Sequence, residues 1–212
     1  MNIIQLVKRG WWKFMTELLH HQYSHIKKTS SVHYSAQVYN PSNLYMDENT
    51  NIDGGAIIMN GRARLVFKKN SGAAVGLLAI TGNHMSVVGK NLKQIANKTK
   101  DELDVNHEMD KDIIVEEDVW IAARVTLLSG AHLGRGCEVG SGSVVRGTIP
   151  PYAVVIGNPA KIVGFRFTPE EIVEHEKAQY EESERLPLEV LNKNYEKYFI
   201  NRIKEIKQFT KL

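Results

Sequence analysis

From Val115 to Val145 an aliphatic residue occupies every sixth position: Val115, Ile121, Leu127, Leu133, Val139 and Val145. A small or β-branched residue follows four places after the first five of these, at Val119, Val125, Ala131, Cys137 and Ser143. A period of six fits neither a helix, whose faces recur every 3.6 residues, nor a flat strand with period two. It fits a chain wound into a prism of short parallel strands, each turn stacked on the last. The expectation is a mainly β protein built as such a coil.

A looser form of the register begins at Val32, with Val38 and Leu44, and runs through Ile52, Ile57, Ile58, Leu65, Val66, Val75 and Leu77 to Ile80. Residues 82–112 interrupt it with a polar stretch too long for a turn, which reads as an excursion from the coil. Long loops on rigid scaffolds often carry chemistry. After Ile149-Pro150-Pro151-Tyr152, the segment Val154 to Lys161 supplies a last apolar strand and a turn. Thr168-Pro169-Glu170-Glu171 then combines a hydroxyl cap, a proline at the first helical position and a capping-box acid, predicting a helix start. Two helices are expected there, separated near Pro187. The second carries Leu188, Leu191, Tyr195, Tyr198, Phe199, Ile203 and Ile206 on one stripe, suited to covering the open end of the coil or a neighbouring chain. The organisation is therefore an N-terminal helix (1–28), a coil (29–167) and a helical extension (168–212).

The first helix is amphipathic, with Ile3, Ile4, Leu6, Val7, Trp11, Phe14, Met15, Leu18 and Leu19 interrupted by Lys8, Arg9 and Lys13. No apolar run is long enough for a signal-peptide core or a membrane span. Five cations face one acid, Glu17, over these residues, which permits peripheral contact with an anionic membrane. Packing on the coil or a sister subunit is the favoured reading. A net charge of +3 over 212 residues is too small to argue for nucleic acid. The single cysteine, Cys137, lies on a small-residue position of the repeat and is expected to be buried, which fits a reducing cytoplasm.

Taken in order, Thr81-Gly82-Asn83-His84, the excursion, Lys111 to Val115, Val119-Trp120-Ile121, Val139-Gly140-Ser141-Gly142-Ser143-Val144-Val145, Ile149 to Tyr152 and Gly157-Asn158-Pro159-Ala160-Lys161 resemble the hexapeptide-repeat acyltransferases. The closest resemblance is to the branch that O-acetylates sugars and surface polysaccharides such as capsule and O-antigen, and it covers roughly residues 32–167. The resemblance implies a left-handed parallel β-helix, an exception to the right-handed crossover rule. It also implies a homotrimer with acetyl coenzyme A in grooves between subunits, and a histidine base on the loop that breaks the coil, here His84.

That chemistry needs a base for the acceptor hydroxyl and donors for the charge that develops on the thioester oxygen. Neutral imidazole suits the first task, and direct attack needs no covalent intermediate. By resemblance, backbone N–H groups around Ser141 and Gly142 would face the thioester or pantetheine arm. Trp120 would pack near the acyl end, and Lys161 and Arg166 would meet the coenzyme A phosphates. Asn83 stands where the family often has an acid or serine, and Ala122 stands where it has glycine. The acceptor pocket is expected from 47–61 and the excursion, with Asn83, His107, Asp53 and Asn60 as candidate contacts.

The alternatives are an amine acceptor on an amino sugar, a zinc site of the carbonic anhydrase type and a noncatalytic scaffold. The zinc site would use His84, His107 and His132, which lack a close histidine pair, so no metal is expected. A scaffold would need neither the histidine loop nor the Gly157–Lys161 segment.

Overall fold

A computed structural model describes residues 3–210, with side chains from Val7 onward. Three parallel sheets form the faces of a prism. The first face takes strands Ser31–Val32, Asn51–Ile52, Gly72–Ala73, Trp120–Ile121, Glu138–Val139 and Ala153–Ile156, closed by Lys161–Phe165. The second takes Gln37–Val38, Ile57–Met59, Leu78–Ile80, Thr126–Leu128 and Val144–Val145. The third takes Leu44–Met46, Leu65–Phe67, Ile113–Val115, His132–Leu133 and Thr148–Ile149.

Register explains why the repeat is strict in one half and loose in the other. Trp120 pairs with Glu138, Thr126 with Val144 and Ile114 with His132, so these turns are three hexapeptides long. Ser31 pairs with Asn51 and Leu44 with Leu65, so the early turns carry extra corner residues that shift the sequence period without breaking the pairing.

All six aliphatic positions of the strict repeat are buried, and so are Val119, Val125, Ala131, Cys137 and Ser143. One row enters the prism from the strands and the other from the corners. Burial beside Glu138 pushes the Cys137 thiol well above its ordinary range, so it stays protonated and serves as packing. In the looser half Ile57 and Val75 point outward, while Ala73 and Ala79 take inner positions.

The corners demand left-handed backbone. Gly136 has φ +68°, and a Cβ there would sit 2.5 Å from the Tyr152 ring, so both conformation and space select glycine.

The first helix, α1 (Ile3–His20), lies on the first turn of the coil, where Thr16 Oγ1 accepts from the Tyr34 amide at 3.2 Å and Trp12 meets His33 edge-on. Of its expected apolar residues, the side chains of Ile3, Ile4 and Leu6 lie outside the described residues. A short α2 (Asn97–Leu103) sits in the excursion.

The extension begins with α3 (Pro169–Gln179), whose Thr168 and Glu171 form the expected capping box. Among the described residues three α-helices follow the coil where two were expected. The apolar stripe is divided between α4 (Leu188–Tyr198) and α5 (Ile203–Phe209) by a tight turn over Ile200–Arg202, and Phe199 at the break has φ −121° and ψ −66°. The end of the coil is also more than one strand and a turn. Lys161–Phe165 folds back antiparallel on Ala153–Ile156 and occupies the edge of the first face. Tyr195 of α4 packs on Phe165, and Phe209 of α5 meets Lys161.

A buried charge joins α3 to the coil. Glu176 accepts from Tyr152 Oη at 3.1 Å and from the Leu186 amide, and pairs with Arg135 at 3.3 Å. Arg135 also pairs with Glu117 and lies over Tyr180, whose hydroxyl burial pushes up to about 12.

Candidate active site

The break in the repeat falls at the corner between the second and third faces. There the chain leaves after Thr81 and returns at Lys111 through a short antiparallel ladder. Asn83 N–H donates to Met109 O at 3.0 Å, Lys111 N–H donates to Thr81 O at 3.1 Å, and Gly82 bridges Asp110. A Cβ on Gly82 would lie 2.6 Å from Asp110 Oδ1, so glycine lets the two arms close.

Asp104 organises the return by accepting from the amides of Glu108 at 2.8 Å and Met109 at 2.9 Å. The buried ammonium of Lys100 then spans the base of the excursion. It donates to Asn83 O at 2.7 Å and pairs with Asp110 at 2.6 Å. Arg62 reaches the other oxygen of Asp110 at 2.9 Å and also pairs with Asp101.

A groove of about 800 Å³ opens along this edge. Tyr39, Met59, Ile80, Met85, Leu92, Ile95 and Leu128 supply its apolar wall, and Arg62, Asn83, His84, Asn97 and Lys100 its polar groups. His84 is exposed, and among the described residues nothing hydrogen-bonds its imidazole. Its backbone is nevertheless fixed from one residue away, because Lys100 holds the preceding carbonyl and Asn83 Nδ2 donates to Met109 O at 3.0 Å. The arrangement offers a solvent-facing imidazole on a braced loop beside a long apolar wall.

The other sequence-derived candidates stand elsewhere in the chain. Trp120 and Arg166 line a second recess of about 360 Å³ with Asn70, Asp118 and Glu138. There Arg166 pairs with Asp118 at 2.6 Å and Glu138 at 3.4 Å, so its charge is already countered. Ser141 and Gly142 form the corner between the first and second faces. The Gly142 amide donates to Ala123 O at 3.0 Å and is thereby committed to the coil, which leaves the exposed Ser141 as the available part of that corner. Lys161 is exposed at the coil's end, 4.9 Å above the Phe209 ring.

Asp53, exposed at the same first-to-second corner, accepts from Asn51 Nδ2 at 3.1 Å. Asn60 is fully buried and spends its amide on Asn40, accepting from its N–H at 3.0 Å and donating to its carbonyl at 2.8 Å. His107 occupies an exposed turn with φ +55° and does not line the groove. His132 faces outward on the third sheet, 2.8 Å from Glu116. The three histidines of the zinc alternative are thus spread over a groove, a turn and a sheet face. Among the described residues no group of three or more His, Cys, Asp or Glu could hold a metal ion.

Lys100, Asp110 and Arg62, which brace the candidate base, could not be singled out from sequence. They look like ordinary solvated charges in or beside a polar stretch.

The bacterial transferase hexapeptide family (six repeats) matches residues 112–147. A chloramphenicol acetyltransferase from Klebsiella aerogenes is 44% identical over 59 residues, covering 28% of this chain and 28% of that protein. The putative lipopolysaccharide biosynthesis O-acetyl transferase WbbJ of Escherichia coli K12 is 45% identical over 51 residues, 24% of this chain and 26% of that protein. The matched stretch therefore spans little more than a quarter of either relative. Among solved structures, the hexapeptide-repeat acetyltransferase VCA0836 of Vibrio cholerae, complexed with acetyl coenzyme A, superposes with a TM-score of 0.57 at 20% identity over 71% of this chain and 75% of its own. At that identity the likeness is one of fold. Residues 112–147 thus carry the bacterial transferase hexapeptide repeat, and the coil of parallel strands around them shares its fold with solved hexapeptide-repeat acetyltransferases.

Proposed function

We propose that the protein is an acetyl coenzyme A-dependent O-acetyltransferase that modifies a hydroxyl of a sugar or surface-polysaccharide precursor, with His84 as general base. The observation that carries this reading is His84 itself, exposed in a groove of about 800 Å³ at the break of the repeat, on a backbone braced by Lys100. A solvent-facing neutral imidazole takes the acceptor proton as the oxygen attacks the thioester carbonyl, and returns it to the leaving thiolate. The thioester is attacked directly, with both substrates held in place.

Acetyl coenzyme A enters as a substrate. Trp120, Ser141, Gly142, Lys161 and Arg166 are its proposed contacts, with Lys161 favoured for the phosphates because Arg166 is already paired with two carboxylates.

These contacts and His84 lie on different edges of one prism, which argues for a site completed by a second copy. The second face between those edges supports this, since its outward side carries Tyr39, Ile57, Met59, Leu78, Ile80, Leu128 and Val144. A face so apolar suits burial against another subunit, and a homotrimer is the proposed assembly. The match to WbbJ supports a saccharide acceptor, as does a groove wide enough to admit one.

The test measures coenzyme A release with saccharide hydroxyls, amino sugars and chloramphenicol as acceptors. Turnover with a saccharide is expected, falling about 10²- to 10⁴-fold in His84→Ala. Equal turnover in that variant would remove the base. Turnover confined to amines or to chloramphenicol would replace the acceptor.

A further inference from the structure

The basic N-terminal helix has a use that the acyl-transfer reading leaves unassigned. Val7, Trp11, Phe14 and Leu18 recur at helical spacing along one line of α1, and they are 66%, 56%, 57% and 50% exposed. The side of the helix bearing Trp12, Thr16 and the half-buried Leu19 and His20 is the one laid against the coil. The apolar line therefore points away from the chain's own core. At 1.5 Å per residue it runs for about 16 Å, with two aromatic rings near its middle.

Charge decides between occupants. Lys8, Arg9, Lys13, Lys27 and Lys28 accompany this helix against Glu17 alone. Without residues 1–28 the chain keeps 22 of its 27 Lys and Arg against 23 of its 24 acids, so the net positive charge of the whole protein resides here. Apposing two such helices from two copies would bring like charges together. A surface of anionic headgroups over acyl chains would meet both the cations and the Trp and Phe rings.

We propose that α1 docks the protein on an anionic lipid surface, with Val7, Trp11, Phe14 and Leu18 entering the headgroup boundary and Lys8, Lys13, Lys27 and Lys28 meeting the headgroups. Among the described residues no helix is long and apolar enough to cross a membrane, and the contact is a peripheral one. This inference is independent of the acyltransferase reading.

Flotation of the full chain with vesicles of phosphatidylcholine alone, or of phosphatidylcholine with phosphatidylglycerol, tests it. Recovery at low salt is expected to be at least tenfold higher on the anionic vesicles, falling as salt rises. Lys8→Gln and Lys13→Gln are each expected to lower the partition about fivefold. Trp11→Ser with Phe14→Ser should abolish it while leaving the thermal melt unchanged, since both rings are exposed. Equal recovery on the two vesicle types, no recovery at low salt, or wild-type flotation of the Trp11/Phe14 variant would each overturn the proposal. So would a change in that variant's mass by light scattering with flotation intact, which would assign the apolar line to contact between copies.

Discussion

The ammonium of Lys100 donates to the carbonyl oxygen of Asn83 at 2.7 Å, so a buried cation holds the residue immediately before the proposed base. The same ammonium pairs with buried Asp110 at 2.6 Å, which ties α2 to the returning arm of the excursion.

Lys100→Met leaves Asp110 with only Arg62 and releases the Asn83 carbonyl. Breaking one partner of a buried pair costs roughly 3–5 kcal/mol, and here the cost falls on the excursion and spares the coil. Turnover is therefore expected to drop about 10²-fold through misplacement of His84, with faster proteolytic cleavage within 82–112. A wild-type rate and digestion pattern would show that the pair is not needed to hold the loop.

Glu176 is the acceptor on which Tyr152, Arg135 and the Leu186 amide converge. Glu176→Ala strands a largely buried guanidinium, a buried hydroxyl and an amide together. The expected loss is about 3–5 kcal/mol in denaturant unfolding, with a smaller loss for Glu176→Gln, which keeps an acceptor oxygen. Equal stabilities for the two variants would mean that the charge matters and the hydrogen bonds do not.

Gly136→Ala puts a methyl group 2.5 Å from the Tyr152 ring at a residue whose φ is +68°. Strain and overpacking act together here, and a destabilisation of about 2 kcal/mol or more is expected. Gly142 also has positive φ, +71°, but a Cβ there meets nothing within 4 Å. Gly142→Ala should therefore cost only the backbone strain, about 1 kcal/mol. Comparable melting temperatures for the two variants would contradict this reading of the corners.

Acid stability should depend on Glu116. Partial burial opposes its ionisation, yet hydrogen bonds from Lys68 at 2.6 Å and His132 at 2.8 Å outweigh that and hold its carboxyl below the usual carboxylate range. A carboxyl whose folded pKa is depressed binds fewer protons folded than unfolded. Its contribution is therefore complete above the ordinary carboxylate pKa and is lost as pH falls through the depressed one. Glu116→Gln is expected to flatten the acid limb of the stability profile in that window and leave its slope near neutrality unchanged. An identical acid limb in the variant would refute the assignment.

Where the coil could be read directly, the reason is local. Val115 to Val145 repeats every six residues because each hexapeptide supplies one strand and one corner, and every one of those aliphatic residues is buried. The Thr168 cap and the excursion at 82–112 were equally legible, since capping and breaks in a period are written in neighbouring residues. The early turns were blurred because extra corner residues change the spacing, while pairing across the sheet, which the sequence does not display, keeps Ile52 and Ile58 inside. The division of the last stripe at Phe199 carried no proline or glycine to announce it.

The site divides along the same line. His84 could be singled out as a candidate because it stands at a visible break in a period, and Trp120 because it sits beside a repeat position. That Lys100, Asp110 and Arg62 converge beneath Asn83, that Arg166 is met by Asp118 and Glu138, and that the Gly142 amide is committed to Ala123 were decided by tertiary structure alone. A period constrains what lies one strand or one turn away. A charge pair formed across 48 residues, such as Arg166 with Asp118, depends on how corners stack, and stacking exists only once the prism has closed.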